Sequence, residues 1–135
     1  MLNSSILALI WSTWINEIST TDADIIGLQE VTENFYNNFL LTKTDYDFCE
    51  FRQYTDEDEG LVILSKYPIK SCFFLNTSEE FDYSAALNVI FEADESCFSL
   101  TNVHLPWDSI KTQEEQIFHQ KTTFRQVITT ELLQK

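Results

Sequence analysis

A succession of strand-like runs constrains the fold of this chain more than any other feature of its sequence. Each run is rich in β-branched and aromatic residues and is bounded by polar or turn-forming residues; in chain order they are YDFCEF, LVILSK, IKSCFFL, AALNVIFEA and CFSLTNV. The runs on either side of KYPIK and those on either side of ADES are close enough in sequence to form two hairpins. An earlier, shorter run at Ile25, Ile26 and Leu28 is typical of a strand inside a covered sheet. These runs predict a core built on β-sheet.

Three stretches are expected to be helical. The first is an amphipathic helix over residues ~4–20, and the second is a helix over ~32–43. A polar-rich stretch from Thr112 onward carries apolar residues at helical spacing and predicts a closing helix. With 135 residues, of which 44% are hydrophobic, the chain amounts to one domain or less. Helices that flank a series of strands predict an α/β fold, in the broad sense that includes α+β.

The charge of the chain limits the partners that its surface can hold. Twenty-two acidic residues against eight basic ones give a net charge of −14. Because proteins hold phosphates with Lys and Arg, no stable nucleic-acid binding is expected from such a surface. The densest acidic run, Asp56 to Glu59, is predicted to be a solvated loop, since it lacks the spaced ligands of a calcium-binding loop.

Cysteine usage and hydropathy predict a soluble intracellular protein. Cys49, Cys72 and Cys97 are odd in number, lie far apart and form no Cys-x-x-Cys motif, so reduced, half-buried thiols are expected. The apolar stretch ILALIW near the N-terminus is too short to cross a bilayer, which takes ~20 residues. No basic residue precedes it, so no signal peptide is expected and the predicted localisation is cytoplasmic.

Polar residues end two of the predicted strands: Gln29 and Glu30 end the first, and Asn102 and His104 end the last. Position alone leaves their roles open. Glu30 could be solvated or could cap the following helix, and His104 could be a neutral core histidine with one hydrogen bond. Gly27 lies inside the first strand, where the missing side chain leaves room for another group to approach closely.

Three segments occur in a particular order along the chain: DADIIGLQEV, EGLVILSKYPI and LTNVHLPW. Together they resemble the endonuclease/exonuclease/phosphatase superfamily, the metal-dependent phosphodiesterases and phosphomonoesterases related to DNase I. The resemblance implies that Glu30 binds the essential divalent metal, Mg²⁺ or Mn²⁺, and that His104 contacts the scissile phosphate. It also implies a substrate-binding position for Asn102. Such a site suits phosphate ester cleavage, which needs a cation, an activated water and stabilisation of the leaving oxygen.

The chain departs from the superfamily pattern in four places. The Gly-Asp-x-Asn segment is absent, since no glycine follows Gly60, and the Ser-Asp-His segment is absent, since no histidine follows His119. The superfamily's first strand, which ends in an asparagine near the metal, is also absent. The stretch EEQIFHQ supplies no arginine at the usual Arg-x-x-Gln position. Residues 1–135 are therefore predicted to be a partial domain that lacks the C-terminal half and the first strand.

The expected architecture is half of a DNase I-like two-sheet sandwich, with one mixed sheet and helices packed on its outer face. The strands that end near Glu30 and His104 should both lie in that sheet, and the functional atoms should lie within roughly 10 Å of each other. Without a second sheet, one face of AALNVIFEA and of CFSLTNV should be uncovered. That face would form an apolar patch through which the chain could self-associate.

Three functions of different classes are compatible with these features. The first is a fragment of a divalent-metal-dependent phosphoesterase, acting on phosphodiesters or phosphomonoesters and inactive as this chain alone. The second is a non-catalytic remnant or binding module that keeps half of the fold. The third is an unrelated acidic α/β domain with chance motif matches. The substrate class stays open among DNA, RNA ends, inositol phosphates and sphingomyelin, although the acidity of the chain disfavours duplex DNA.

Overall fold

The computed structural model describes residues 4–54, 57–76 and 85–105. Helix α1 is followed by strand β1, by a helical segment made of α2, a π-helical turn and α3, and then by strands β2 to β6. In chain order their bounds are Ser4–Thr20, Ile25–Thr32, Glu33–Phe35, Tyr36–Leu40, Leu41–Lys43, Phe48–Gln53, Glu59–Ser65, Ile69–Asn76, Ala85–Ala93 and Ser96–His104. The two predicted N-terminal helices and all six predicted strands are confirmed. The predicted closing helix lies outside the described residues.

The described strands form two antiparallel sheets of three strands each. The first sheet has the order β1-β3-β2 and the second the order β4-β5-β6. The single mixed sheet expected from the sequence is therefore not what the described part of the chain forms. The predicted hairpin around KYPIK is also wrong, because β3 already pairs with β1 on one edge and β2 on the other, so β4 cannot join it. The predicted hairpin around ADES is confirmed, since Ala93 of β5 faces Ser96 of β6.

The turn between β3 and β4 carries the chain from the first sheet to the second. Ser65 ends β3, and its hydroxyl accepts a hydrogen bond from Tyr67 N at 2.9 Å and donates one to Tyr67 O at 3.0 Å. The tight turn is therefore stabilised by the Ser65 side chain and not by hydrogen bonds between paired strands. Pro68 follows, and β4 then starts at Ile69 in a different sheet.

The two sheets pack face to face around an inner core. Leu61 and Ile63 of β3 and Leu87, Val89 and Phe91 of β5 are all fully buried in one cluster. The prediction that AALNVIFEA has an uncovered face is wrong, because the inner face of β5 packs on β3 and the whole run from Ala85 to Val89 is buried. In CFSLTNV, by contrast, Cys97 to Ser99 are exposed, with Phe98 at 38%. Self-association through β6 therefore stays a prediction.

Helices cover the outer face of the first sheet, as predicted. The alternate residues of β3, Val62 and Leu64, join a second buried cluster with Ile18 of α1, Val31 of β1 and Leu40 of the π-helical turn. Successive side chains of a strand point to opposite faces, so β3 is apolar at every position of LVIL because both of its faces are covered.

Two further expectations concern the burial of the cysteines and the ability of a helix to cross a membrane. Cys49 and Cys72 are half-buried and free, as expected, whereas Cys97 is exposed and free. No helix in residues 4–54, 57–76 or 85–105 is both long enough and apolar enough to cross a bilayer.

Candidate functional site

A bulge near the end of β1 determines where Glu30 lies. The pairing with β3 shifts register between Leu28 and Val31, and Glu30 takes a left-handed backbone conformation with φ of 55°. For a residue with a side chain this conformation costs roughly 1–2 kcal/mol. The next helix is capped by Thr32, whose hydroxyl accepts a hydrogen bond from Phe35 N at 3.2 Å. Capping therefore does not explain Glu30.

The structure brings Glu30 and His104 into direct contact. Glu30 Oε1 lies 3.2 Å from His104 Nε2, well inside the predicted 10 Å. The prediction that both residues come from one sheet is wrong, because β1 belongs to the first sheet and β6 to the second. The Glu30 side chain is 66% exposed and that of His104 is 21% exposed, so the pair sits at the rim of the sandwich and opens to solvent.

Tyr54 contacts both members of this pair. Its ring is stacked on the His104 imidazole, with centroids 5.4 Å apart and planes 19° apart, and its hydroxyl oxygen lies 3.5 Å from Glu30 N. Burial is the main reason that the pKa of Tyr54 is raised to about 12, so the phenol is neutral at ordinary pH. The neutral Tyr54 ring thus packs against one face of the His104 imidazole. Nδ1 of His104 is buried and has no hydrogen-bond partner within the described segments.

Asn102 lies beneath the pair and ties the two sheets together. Its Nδ2 donates hydrogen bonds to Leu28 O at 2.8 Å and to Val62 O at 3.1 Å, two carbonyls of residues that face each other beside the bulge. Both amide hydrogens are therefore used within the protein. A direct contact between Asn102 and a substrate stays a prediction. Gly27 is what admits this side chain, since a Cβ at that position would lie 3.3 Å from Asn102 Cγ.

Glu59 is a second carboxylate near Glu30. The acidic run was predicted to be a solvated loop, and this is wrong for Glu59, which begins β3 and faces Thr32 of β1. The pKa of Glu59 is raised, first by desolvation and then by the negative charge of Glu30, while the nearby His104 acts in the opposite direction. Two carboxylates and a histidine therefore share one electrostatic environment.

A cavity of about 450 Å³ adjoins this acidic end of β1. Trp11 and Trp14 of α1 and Leu28 of β1 supply much of its apolar wall, and the polar lining includes Glu30 and Glu59. Trp14 is 58% exposed, so the apolar wall continues onto the surface of α1.

The donor set near Glu30 suits a hydrated magnesium or manganese ion better than a closed metal centre. Within residues 4–54, 57–76 and 85–105, no group of three or more His, Cys, Asp or Glu side chains is arranged to hold a metal. Mg²⁺, however, keeps several of its waters and is commonly bound through one or two carboxylates. Glu30, exposed and close to Glu59, fits that requirement.

The architecture and the paired groups at its rim define the class of protein. Two antiparallel sheets pack face to face, helices cover one of them, and a carboxylate and a histidine meet where β1 and β6 end. This arrangement is that of part of a DNase I-like sandwich. Residues 12–126 match the sequence model of the Endonuclease/Exonuclease/phosphatase family. The chain therefore belongs to this family.

Solved structures share the fold. The crystal structure of TDP2 from Caenorhabditis elegans is 14% identical and superposes with a TM-score of 0.72 over 95% of this chain and 40% of that chain. The crystal structure of a truncated form of the same protein gives a TM-score of 0.71 at 14% identity, over 95% of this chain and 52% of that chain. This chain thus spans about half of their length or less. No curated protein matches the sequence.

Proposed function

We propose that this chain carries the metal-binding and phosphate-binding part of a divalent-metal-dependent phosphoesterase site. In this proposal Glu30 is a ligand of Mg²⁺ or Mn²⁺, and His104 donates a hydrogen bond from Nε2 to a non-bridging phosphate oxygen. The observation that carries the proposal is the contact between the two side chains, 3.2 Å apart although their strands belong to different sheets. Family membership supports hydrolysis of phosphate esters as the reaction class.

The chemistry divides between the ion and the protein. A bound divalent ion would neutralise charge on the phosphate and polarise its oxygens. Glu30 would hold that ion with one carboxylate, and Glu59 would add negative charge on the same side. His104 would exchange its contact with Glu30 for one with a phosphate oxygen, with its ring held in place by the stack on Tyr54. Asn102 would hold β6 against β1 and β3 beneath the site.

We further propose that the 135-residue chain does not turn over substrate by itself. Its sequence contains no Gly-Asp-x-Asn segment and no Ser-Asp-His segment. A general base alone contributes ~10²–10⁴-fold to a rate, and cooperating groups lost together remove most of it. The chain would then be a partial domain over residues 1–135 that acts on a phosphate ester only when the remaining groups are supplied.

A non-catalytic binding module is the second candidate. It is favoured by the lack, among the described side chains, of any three metal-ligating groups placed together. The two candidates differ in one measurable property. A phosphoesterase half-site binds a divalent ion through Glu30, whereas a binding module has no need of the ion.

Metal binding at Glu30 is the first experiment. Mn²⁺ titration followed by electron paramagnetic resonance should give a dissociation constant of about 1 mM for wild type, as expected for coordination by few carboxylates. Glu30→Gln should weaken binding at least about tenfold, because it removes the charged ligand while keeping its shape. Glu17→Gln, an exposed glutamate on α1, is the matched control and should bind as wild type does. Equal affinity in Glu30→Gln and wild type would remove Glu30 as a ligand.

Hydrolysis and phosphate binding complete the test. Wild type should hydrolyse bis-p-nitrophenyl phosphate at no more than the background rate in saturating Mg²⁺. Phosphorus-31 resonances of inorganic phosphate should respond to the wild-type chain with Mg²⁺, and this response should be lost in His104→Ala. Robust turnover by the isolated chain would show that the absent segments are not required.

A further inference from the structure

Gln29 makes a hydrogen bond that joins the two halves of the candidate site. It immediately precedes Glu30, and its Nε2 donates to the main-chain oxygen of Val103, which immediately precedes His104, at 2.6 Å. The bond crosses from β1 to β6, which stand at the ends of the strand orders of the first and second sheets within the described segments. Gln29 is exposed, and its amide also lies within reach of Oδ1 of the buried Asn102.

The orientation of the Gln29 amide is fixed from two sides. Nε2 also lies 3.4 Å from Asn102 Oδ1, and Asn102 cannot be turned over because its own Nδ2 donates to Leu28 O and Val62 O. If the Gln29 amide were reversed, its oxygen would face two acceptors, Val103 O and Asn102 Oδ1. Only one orientation therefore satisfies the whole network, and in it Gln29 reaches across to β6.

We propose that Gln29 is a positioning residue that sets the distance between Glu30 and His104. The inference rests on the proposed function, since it assigns Gln29 to that pair. Apolar contact between the sheets is not directional and fixes their spacing better than their offset along the strands. Asn102 also ties β6 to the first sheet by hydrogen bonds, but the Gln29 bond alone joins the residues that directly precede the two functional groups, and it fixes that offset at the site itself. Offsets as small as 1 Å matter to phosphate-ester chemistry, where catalysis depends on near-attack geometry.

The test compares variants of two glutamines in the full 135-residue chain. Gln29→Met keeps the length of the side chain but removes the donor, and Gln29→Asn keeps the amide but is one methylene too short to reach Val103. Gln53→Met is the matched control. Gln53 is also exposed, and its Nε2 also donates to a main-chain oxygen at 2.6 Å, that of Glu57, but this bond does not link the sheets.

The readout is the nitrogen-15 chemical shift of His104 Nε2 at one fixed pH, without metal. The chain has two histidines, and His119→Gln assigns the signals. Glu30→Gln defines the shift change produced when the carboxylate beside His104 is lost. Gln29→Met and Gln29→Asn should each reproduce at least half of that change, while Gln53→Met should leave the shift as in wild type. Melting temperatures should fall by similar amounts in Gln29→Met and Gln53→Met, so that general stability does not account for the difference.

The outcomes separate the positioning role from the proposed function. If both Gln29 variants fold and leave the His104 shift unchanged, Gln29 only stabilises the sandwich and the proposal is overturned, whatever Mn²⁺ binding shows. If the shift moves as expected but Glu30→Gln binds Mn²⁺ as wild type does, Gln29 positions the pair and the metal-binding role of Glu30 fails instead.

Discussion

The backbone conformation of Glu30 indicates a functional role, as its carboxylate does. A left-handed backbone is normally left to glycine, and asparagine or aspartate take it more easily than glutamate does. Here it is held in the bulge by the pairing of Val31 with Gly60 on one side and Leu28 with Val62 on the other. A costly conformation that is fixed by its neighbours and presents a carboxylate to His104 is characteristic of functional sites.

Substitution of Glu30 by glycine and by alanine should reveal this cost. At an ordinary strand position alanine is more favourable than glycine by roughly 0.5–1 kcal/mol. At Glu30 the order should reverse, with Glu30→Gly more stable than Glu30→Ala by about 1 kcal/mol, because φ of 55° disfavours a Cβ. Urea unfolding of both variants gives the difference. Glu92, an exposed glutamate of β5, is the control, and there alanine should be the more stable; the same order at both positions would refute the strain at Glu30.

Residue-level features of the site were predictable only where a motif carried them. The closeness of Glu30 and His104 was predictable because each ends a strand inside a segment that resembles a known family, while their metal-binding and phosphate-binding roles stay predictions. Tyr54 was not identified, because nothing near it in the sequence distinguishes it from any aromatic residue at a strand end. Glu59 begins the segment EGLVILSKYPI, but its place in the acidic run from Asp56 to Glu59 led to its interpretation as a loop residue. Their proximity to His104 and Glu30 arises only when β2 and β3 pair and the second sheet packs on the first.

Among the secondary-structure elements, strand existence followed from the sequence and strand partners did not. AALNVIFEA and CFSLTNV were predicted as a hairpin and form β5 and β6, because two-residue turns connect neighbouring strands directly. The same logic failed at KYPIK. A short connection there joins two strands in different sheets. The local sequence does not show that β3 already pairs with β1 on one edge and with β2 on the other.

The contact between β1 and β6 depends on a glycine. Gly27→Ala places a methyl group 3.3 Å from Asn102 Cγ and 3.4 Å from Asn102 Nδ2, and Asn102 cannot move aside without breaking its bonds to Leu28 and Val62. The substitution should lower the free energy of unfolding by about 1–3 kcal/mol, as overpacking does. Denaturant unfolding measures the loss.

A double-mutant cycle identifies the cause of that loss. In an Asn102→Ala background the added methyl group has space, so Gly27→Ala should cost much less there than in wild type. Equal costs in the two backgrounds would mean that Asn102 is not what Gly27 accommodates.

The whole molecule should lose stability at alkaline pH through its buried phenols. The pKa values of Tyr36 and Tyr54 are raised from 10.0 to about 12, mainly by burial. In the unfolded chain these groups ionise near 10.0, so their contribution to stability is complete below that pH and is lost as pH rises toward 12. Tyr36→Phe keeps the stack on Phe51 and removes one of the two groups. Its unfolding free energy should therefore decline less steeply with pH than that of wild type, and identical slopes would contradict the assignment.

The packing of two sheets at the centre of the molecule was not expected from the sequence, because absent family segments suggested an absent sheet. Yet β3 and β5 bury one shared cluster, with the helices forming a second cluster behind β3. The two faces of the first sheet are thus covered by different layers, the second sheet on one side and the helices on the other. This division predicts which core residues depend on each other energetically.

Coupling between substitutions should follow the two clusters. Ile63→Val in the inner cluster and Ile18→Val in the outer cluster remove the same methyl group, and each should cost ~0.5–1.5 kcal/mol. Combined with Val89→Ala of the second sheet, Ile63→Val should deviate from additivity by at least about 0.5 kcal/mol, because both residues line one core and relax into a shared space. Ile18→Val should add to Val89→Ala within about 0.5 kcal/mol, since the first sheet lies between them. Urea unfolding of the three single and two double variants decides the point, and strict additivity for the Ile63 pair would show that the two sheets do not share a packed core in solution.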